Sequence, residues 1–433
     1  MNRFLVTVLL FILVVAELYP QGDSVMQTGV RPASKGWTWA AWPAFSYDAD
    51  QGLQLGLLGQ IYDYGDGSTY PEYRHTLYAE CSWFTKGSAV YQVFYDSKYL
   101  IPGGVRVTVD LDYLPEKALD FTGFNGYQSR YDRAREKTGS PDYITRMYYK
   151  MERLMYRAMV DFQGPVLTQR FRWFAGINLI GMQMATVDID RMNKGKPEEK
   201  KLPDTSLLFD QYVQYGLIGE KEKDGGVTLL LKTGFLFDSR DNEASPGSGI
   251  WSELLMTGAP GLGGNSYRYL RLSATHRQYV TLWKDRLITA YRIGYLGTIA
   301  GEVPYYMLPY MFSTNVFVTK PDGLGGAKNL RGILRNRVVG NGVVFGNLEM
   351  RWNIFSRMIL KQHITVGLLG FLDGGMVVDE RPVNYGAIPD SVRRSFVNLA
   401  HDRMHVSTGL GLRAAINHRS EERRVGKECR SRW

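Results

Sequence analysis

Residues 105–113 read VRVTVDLDY, and apolar and polar side chains alternate along the whole segment. Successive side chains of a β-strand point to opposite faces, so this stretch has one apolar and one polar face. The apolar face consists of Val105, Val107, Val109 and Leu111, and the polar face of Arg106, Thr108, Asp110 and Asp112. The alternation predicts a strand that meets water on one side only.

The same alternation recurs along the chain, for example in residues 52–62, 344–354 and 404–416. Many such segments exceed the five or six residues usual in soluble strands and reach the roughly 9–11 residues of a membrane-crossing strand. We predict about fourteen strands, near 38–49, 51–63, 73–84, 88–99, 103–113, 145–163, 168–187, 227–240, 249–258, 266–283, 286–298, 342–355, 362–378 and 404–417. The predicted fold class is all-β, a transmembrane antiparallel β-barrel. A soluble β-sandwich, which would show a similar pattern, is the alternative.

Three longer segments interrupt the strands, at 114–142, 188–226 and 299–341, and their charges and glycines predict loops. Within the second, residues 205–219 carry apolar side chains at helical spacing, which predicts a short helix. Bacterial barrels have short periplasmic turns and longer outer loops. The three segments are therefore expected outside the barrel or folded into its pore.

The N-terminus has the pattern of an export signal. Arg3 precedes an apolar run of 13 residues, from Phe4 to Ala16, which is shorter than the about 20 residues of a membrane-spanning helix. We assign residues 1–22 to a signal peptide, 23–37 to a short N-terminal segment and 38–418 to the barrel; a retained anchor helix is the alternative. No later stretch reaches 18 apolar residues. Export, strands and no spanning helix together predict the bacterial outer membrane, with its lipids as partners.

The last fifteen residues, 419–433, read RSEERRVGKECRSRW and resemble an in-frame translation of a sequencing-adapter oligonucleotide. A natural basic tail is the alternative. The segment holds six basic and three acidic residues, so without it the formal charge falls from +9 to +6. This weakens the charge argument for nucleic-acid binding, and no nucleic-acid partner is expected. Only Cys81 then remains, so no disulfide is expected either.

No constellation of residues predicts catalysis. No Gly-x-Ser-x-Gly motif is present, and the six His are not spaced as metal ligands. The glycines at 258–264 lack the Lys-Ser or Lys-Thr of a phosphate-binding loop. We therefore expect no enzymatic activity, no metal and no small-molecule cofactor. A barrel enzyme acting on lipids is the least favoured hypothesis.

One loop does carry a candidate site. Residues 325–333 read GGAKNLRGI and are followed by strands that contain Glu349 and Asp373. Alternation places both carboxylates on the inner face of neighbouring strands, where Arg331 of the preceding loop could reach them. Arginine has a planar fork of donors that suits carboxylates. A solvated loop arginine is the alternative.

These motifs resemble those of the BamA/TamA superfamily of outer-membrane assembly and translocation barrels. The loop signature of that family, a hydrophobic residue, Arg, Gly and an aromatic residue, is matched by Leu330, Arg331 and Gly332, with Ile333 in place of the aromatic residue. The Phe-x-Asp-x-Gly strand matches Phe371, Asp373 and Gly375, and Asp238, Arg240 and Asp241 resemble the family's aspartate–arginine–aspartate strand end. The resemblance is strong over about residues 225–417 and weak before them.

The resemblance implies a sixteen-stranded barrel with Arg331 inside the lumen, held by Asp373 and Glu349. Since about fourteen strands are present, two more are expected after residue 417, where the adapter-like tail stands instead. It also implies a role in inserting or translocating client polypeptides. About fifteen residues separate the signal peptide from the first strand, too few for the family's polypeptide-transport-associated (POTRA) domains. A passive pore or small-solute channel plugged by the 299–341 loop is the alternative function.

Overall fold

The computed structural model describes residues 35–416, with gaps at 49–50, 71, 244–245, 262–266, 284–285, 315–321, 327–328 and 360–361. The assigned signal peptide, most of the segment at 23–37 and the adapter-like tail lie outside the described residues. In the part of the chain that is described, no helix is both long and apolar enough to cross a membrane.

Fourteen β-strands account for most of the described chain, as the alternation predicts. They are β1 (Trp37–Asp48), β2 (Gly52–Asp63), β3 (His75–Phe84), β4 (Ala89–Ile101), β5 (Val105–Asp120), β6 (Lys150–Thr168), β7 (Phe171–Ala185), β8 (Gly225–Asp238), β9 (Gly249–Ala259), β10 (Tyr269–Trp283), β11 (Leu287–Gly301), β12 (Gly342–Ile359), β13 (Gln362–Asp379) and β14 (His405–Ile416). The predicted all-β class and the number of strands are confirmed.

The strands form one antiparallel sheet in which each strand pairs with the next one along the chain, from β1 to β14. Among the described strands, no ladder joins β1 to β14. This up-and-down order needs no crossover, because antiparallel strands can be joined by short turns. The sheet has the order of a meandering barrel wall.

Alternation along each strand separates two faces of the wall. In β5, Asp110 and Asp112 are 3% and 6% exposed, whereas Leu111 and Tyr113 are both 47% exposed. Polar side chains therefore face inward and apolar ones outward, the reverse of a soluble β-sandwich. The outward face is suited to lipid.

The connections differ in length between the two ends of the wall. One end, which we call the turn end, carries six connections, of which the longest span residues 64–74 and 239–248. The other, the loop end, carries all four of the longest connections, residues 121–149, 186–224, 302–341 and 380–404. We call residues 302–341 the inner loop.

The prediction of a loop over 114–142 is wrong at its start, because β5 continues to Asp120. The alternation is obscured there because the inward residues Leu114 and Ala118 are apolar, being covered by other loops. Pro115 adds to the ambiguity because proline is rare in strand interiors. Conversely, β6 begins at Lys150 and not at 145.

The largest buried cluster lies among the loops at the loop end. Three short α-helices occur in these loops, α1 (Ile189–Asn193), α2 (Leu208–Gln214) and α3 (Asp390–Arg393). There are also single 3-10 turns at Gly126–Gln128, Arg133–Arg135, Glu198–Lys200, Tyr305–Met307 and Tyr385–Ala387. The helix expected within 205–219 is α2, and its Tyr212 packs edge-to-face on Phe121 with centroids 5.2 Å apart. These contacts hold the loops over the loop end of the wall.

Candidate functional site

Three neighbouring strands bring polar side chains together on the inner face of the wall. In register, Asp373 of β13 lies opposite Asn347 of β12 on one side and Ser407 of β14 on the other. Two residues earlier on β13, Phe371 lies opposite Glu349 of β12 on one side and Gly409 of β14 on the other. Asp373 is six residues from the loop end of β13, which is roughly 20 Å along the strand. The site therefore lies well inside the wall.

Arg331 of the inner loop binds both predicted carboxylates. Its Nε and Nη2 donate to Oδ2 and Oδ1 of Asp373, each at 2.8 Å, and its backbone N donates to Oδ2 at 2.9 Å. Its Nη1 donates to Oε1 of Glu349 at 2.6 Å. The structure thus brings Arg331, Asp373 and Glu349 together in a group that we call the clasp.

The electrostatics of the clasp favour the charged form of Arg331. The side chain of Asp373 is 0% exposed, whereas those of Arg331 and Glu349 are 21% and 19% exposed. Burial by itself would lower the pKa of the Arg331 guanidinium, but the hydrogen bonds and charges of Asp373 and Glu349 outweigh it and hold that pKa above its usual value. Charge-assisted, two-pronged hydrogen bonds of this kind are among the stronger ones in proteins.

Apolar contacts fix the approach of the same turn. Leu330 is fully buried, and a Cβ at Gly375 would lie only 2.8 Å from its Cδ1. The guanidinium of Arg331 lies 4.0 Å from the centroid of the Phe371 ring, and that ring in turn lies over Gly409. The strand glycines are therefore the spaces into which Leu330 and Phe371 fit.

The remaining signature residues complete the turn. Gly332 has φ +78°, a left-handed conformation that glycine adopts without strain. Ile333 is partly buried against the main core cluster and thus fills an apolar position without an aromatic ring.

Sequence reasoning missed several partners of the clasp. Ser407 donates to the carbonyl of Arg331, and Asn347 Nδ2 donates to the carbonyl of Asn329 at 2.6 Å. Arg351 donates to Oε2 of Glu349 from Nε and Nη2, at 2.8 and 2.7 Å. Alternation along the strands indicates that these side chains face inward. Which residues lie opposite each other on neighbouring strands depends on strand register, which a single sequence does not give.

Arg335, four residues after Arg331, binds the opposite side of the wall. Its Nη2 donates to Oε1 of Glu116 on β5 and to Oδ1 of Asp322 in the inner loop, both at 2.7 Å. Glu116 also binds Arg153 of β6. Two arginines of a single turn thus contact β5 on one side and β12 and β13 on the other.

The earlier half of the inner loop is held by the strands between those two sides. Glu253 of β9 accepts hydrogen bonds from the backbone N of Thr314 at 2.8 Å and from its Oγ1 at 2.7 Å. Arg271 of β10 donates to the carbonyls of Met307 and Tyr310, both at 3.2 Å. The loop therefore contacts inward-facing side chains from β5 to β14.

The residues Asp238, Arg240 and Asp241 lie at the turn end and form a local structure of their own. Arg240 Nε and Nη2 donate to Oδ1 and Oδ2 of Asp238, at 2.9 and 2.7 Å. Asp241 Oδ1 accepts from the backbone N of Gly247 at 3.0 Å. These contacts close the connection between β8 and β9.

No group of three or more His, Cys, Asp or Glu side chains suited to a metal ion occurs within the described ranges. Cys81 is free and lies on the exposed face of β3. The chemistry that the clasp can perform is ion pairing and hydrogen bonding, which position a loop.

Comparison with known families decides the identity. A family described as the Omp85 superfamily domain matches residues 198–417, which include the clasp and β8 to β14. The chain belongs to the Omp85 superfamily. It is accordingly a bacterial outer-membrane β-barrel of the BamA/TamA type.

A solved structure also supports the fold. BamA from Haemophilus ducreyi lacking POTRA domains 1–3 matches with a TM-score of 0.50 and 15% identity, over 88% of this chain and 64% of that one. CdiB from Escherichia coli has a TM-score of 0.47 and 11% identity, over 90% of this chain and 58% of that one. The chain thus spans about three-fifths of the length of these structures. No curated protein matches it.

Proposed function

We propose that this Omp85 barrel assists the insertion or translocation of client polypeptides at the outer membrane, and that the inner loop plugs its lumen. The single observation that carries the proposal is the clasp, since Arg331 binds two strands through Asp373 and Glu349. A loop held at this depth obstructs the lumen, so transport has to involve either its movement or the wall itself.

The distribution of anchors supports an obstructing loop. Arg331 and Arg335 hold one turn between β12–β13 and β5, and Glu253 and Arg271 hold the preceding segment. A side chain that loses a buried ionic partner leaves an uncompensated charge, which costs about 3–5 kcal/mol. Leaving this position would break several such contacts together, so the plugged state is the resting state.

The second candidate is a small-solute channel gated by the same loop. It is favoured by the polar inner face, where Arg157 of β6 pairs with Asp110 of β5 and Lys232 of β8 pairs with Asp161 of β6. In both candidates the inner loop plugs the lumen. They differ in the substrate, which is a client polypeptide in the first candidate and a small solute in the second. No enzymatic reaction is part of either one, and outer-membrane lipids and client polypeptides are the proposed partners.

The test reconstitutes the full chain and its Arg331→Ala variant into lipid vesicles. The proposal expects the native chain to accelerate the folding of a urea-unfolded eight-stranded barrel protein into those vesicles by at least severalfold. It also expects Arg331→Ala to raise the conductance or its noise in planar bilayers. No acceleration, together with steady solute conductance by the native chain, would favour the channel instead. Arg351→Ala, which loses a contact to Glu349 but none to the loop, is the matched control.

The proposal includes two assignments at the ends of the chain, outside the described residues. Residues 1–22 are proposed to direct export and 419–433 to derive from an adapter. N-terminal sequencing of the protein recovered from membranes tests the first assignment, and rereading the gene through codon 418 and beyond tests the second. A mature protein that begins at Met1, or a genomic read that retains residues 419–433, would contradict them.

A further inference from the structure

Four polar side chains form a continuous hydrogen-bonded chain on the outward face of β9, β10 and β11. Ser252 Oγ lies 2.8 Å from Nδ1 of His276, and Nε2 of His276 lies 3.3 Å from Oη of Tyr291. Tyr291 Oη donates to Oε1 of Gln278 at 2.6 Å. They alternate with inward-facing residues such as Trp251, which is 3% exposed.

This polar chain is unexpected on a lipid-facing wall. The outward positions of β5 and β6 at comparable places are Val109, Leu111, Tyr156 and Val160, all apolar or aromatic. Polar groups placed in hydrocarbon without partners are costly, and they mark functional sites by default. The internal hydrogen bonds offset part of that cost but not all of it.

The direction of these hydrogen bonds leaves donor hydrogens without an acceptor at one end of the polar chain. Because Tyr291 donates its proton to Gln278, its oxygen can accept from His276, whose other ring nitrogen then accepts from Ser252. This polar chain of side chains ends at the side-chain nitrogen of Gln278, whose two hydrogens bond to no group within the described residues.

The position of Gln278 argues against a lipid headgroup as its partner. Trp283, 57% exposed and stacked on Arg286 at 5.0 Å, marks the water boundary at the turn end. Gln278 lies five residues before it, roughly 17 Å along a tilted strand and about 12 Å in depth. At that depth lipid offers acyl chains and no acceptors.

We propose that this patch is a contact between two copies of the chain in the membrane. Two-fold contacts use the same surface on both partners, so the surface has to complement itself. A glutamine amide does so, because each Nε2 can donate to the Oε1 of the other copy, which has a second lone pair available. Around it, Leu254, Val280 and Ile293 are 51%, 40% and 63% exposed and supply apolar packing.

Cysteine cross-linking of the full chain in native membranes tests the contact. Gln278→Cys, in a background with Cys81→Ser and Cys429→Ser, is expected to form a dimer disulfide on mild oxidation, because the covalent bond traps copies whose association is only weakened by loss of the amide. The matched control keeps Cys81, which is also lipid-facing but on β3, and replaces only Cys429. A monomeric Gln278→Cys chain, or equal cross-linking through Cys81, would overturn the proposal.

Dilution in lipid vesicles, followed by fluorescence energy transfer between labelled copies, tests the role of the amide. Gln278→Leu is expected to weaken association about tenfold, as loss of two membrane-buried hydrogen bonds would. Gln278→Asn should recover part of the loss, and Tyr91→Leu, on the outward face of β4, should cause none. Association that is unchanged in Gln278→Leu, or a native chain that stays monomeric at every density, contradicts a two-copy contact.

Discussion

Arg331 shows how much one side chain can determine when its partners are already ordered. Asp373 and Glu349 are positioned by the β12–β13 ladder, which does not include the loop, so little further entropy is lost when the fork of Arg331 binds them. Their inward phase was predictable from the sequence by alternation alone. Ser407 and Asn347 were not predicted, because their proximity to the loop depends on strand register and on a bend in the loop.

At this scale we predict the outcome of a double-mutant cycle. Arg331→Ala and Asp373→Ala should each lower the free energy of unfolding by about 3 kcal/mol, the low end for a broken buried ion pair because Arg331 is 21% exposed. The double variant should lose less than the two single losses together, with a coupling of about 1–3 kcal/mol. Guanidinium unfolding in vesicles measures the free energy of unfolding of the native chain, the two single variants and the double variant. Strict additivity would show that the two residues do not interact.

Among the elements, the strands were predictable and the loops were not. Strands have a period of two that survives in the sequence, whereas the path of the inner loop follows from contacts with side chains more than a hundred residues away, such as Glu116 with Arg335. Where inward residues become apolar beneath the loops, as at Leu114, even the strand signal is lost.

One prediction for the inner loop concerns the glycine under Leu330. Gly375→Ala places a Cβ 2.8 Å from Leu330 Cδ1, so the turn at 330–335 should lift and become sensitive to protease. Gly374→Ala is the matched control, since its Cβ would meet nothing closer than Met404 Sδ at 3.4 Å. Limited proteolysis of membranes followed by mass spectrometry measures the effect. Equal protection in both variants would contradict the packing of Leu330 on β13.

The connections at the loop end carry a prediction about pH. Asp402 accepts hydrogen bonds from His405 and from the backbone N of Tyr127 and Val377; burial would raise its pKa, but these bonds outweigh burial and lower it below the usual 3.8. A carboxylate whose pKa is lower in the folded than in the unfolded protein stabilises the fold at pH values above its unfolded-state pKa. That stability is lost as the pH falls through its folded-state pKa. Hydrogen exchange at 121–130 should therefore rise below about pH 4. An Asp402→Asn variant with the same pH profile would contradict this origin.

For the whole molecule, the reversed polarity of the wall predicts behaviour that no soluble β-protein shows. The protein should fractionate with outer membranes and migrate faster on gels when unheated, because a continuously hydrogen-bonded barrel wall resists detergent. Mutations of the clasp should leave both properties intact, since the ladders from β1 to β14 do not depend on it. Recovery of the native chain as a soluble periplasmic protein would contradict the assignment of the fold as a membrane barrel.

The central claim, that the inner loop lies inside the barrel against β14, is tested most directly by one engineered disulfide. A Cβ at Gly332 would lie 3.4 Å from Cβ of Ser407, close to the separation of cysteines in a disulfide. In a background without Cys81 and Cys429, Gly332→Cys with Ser407→Cys should become oxidised in whole cells, leaving neither thiol open to alkylation. Two alkylated thiols in a barrel that still shows heat-modifiable mobility would place the loop elsewhere and contradict the account.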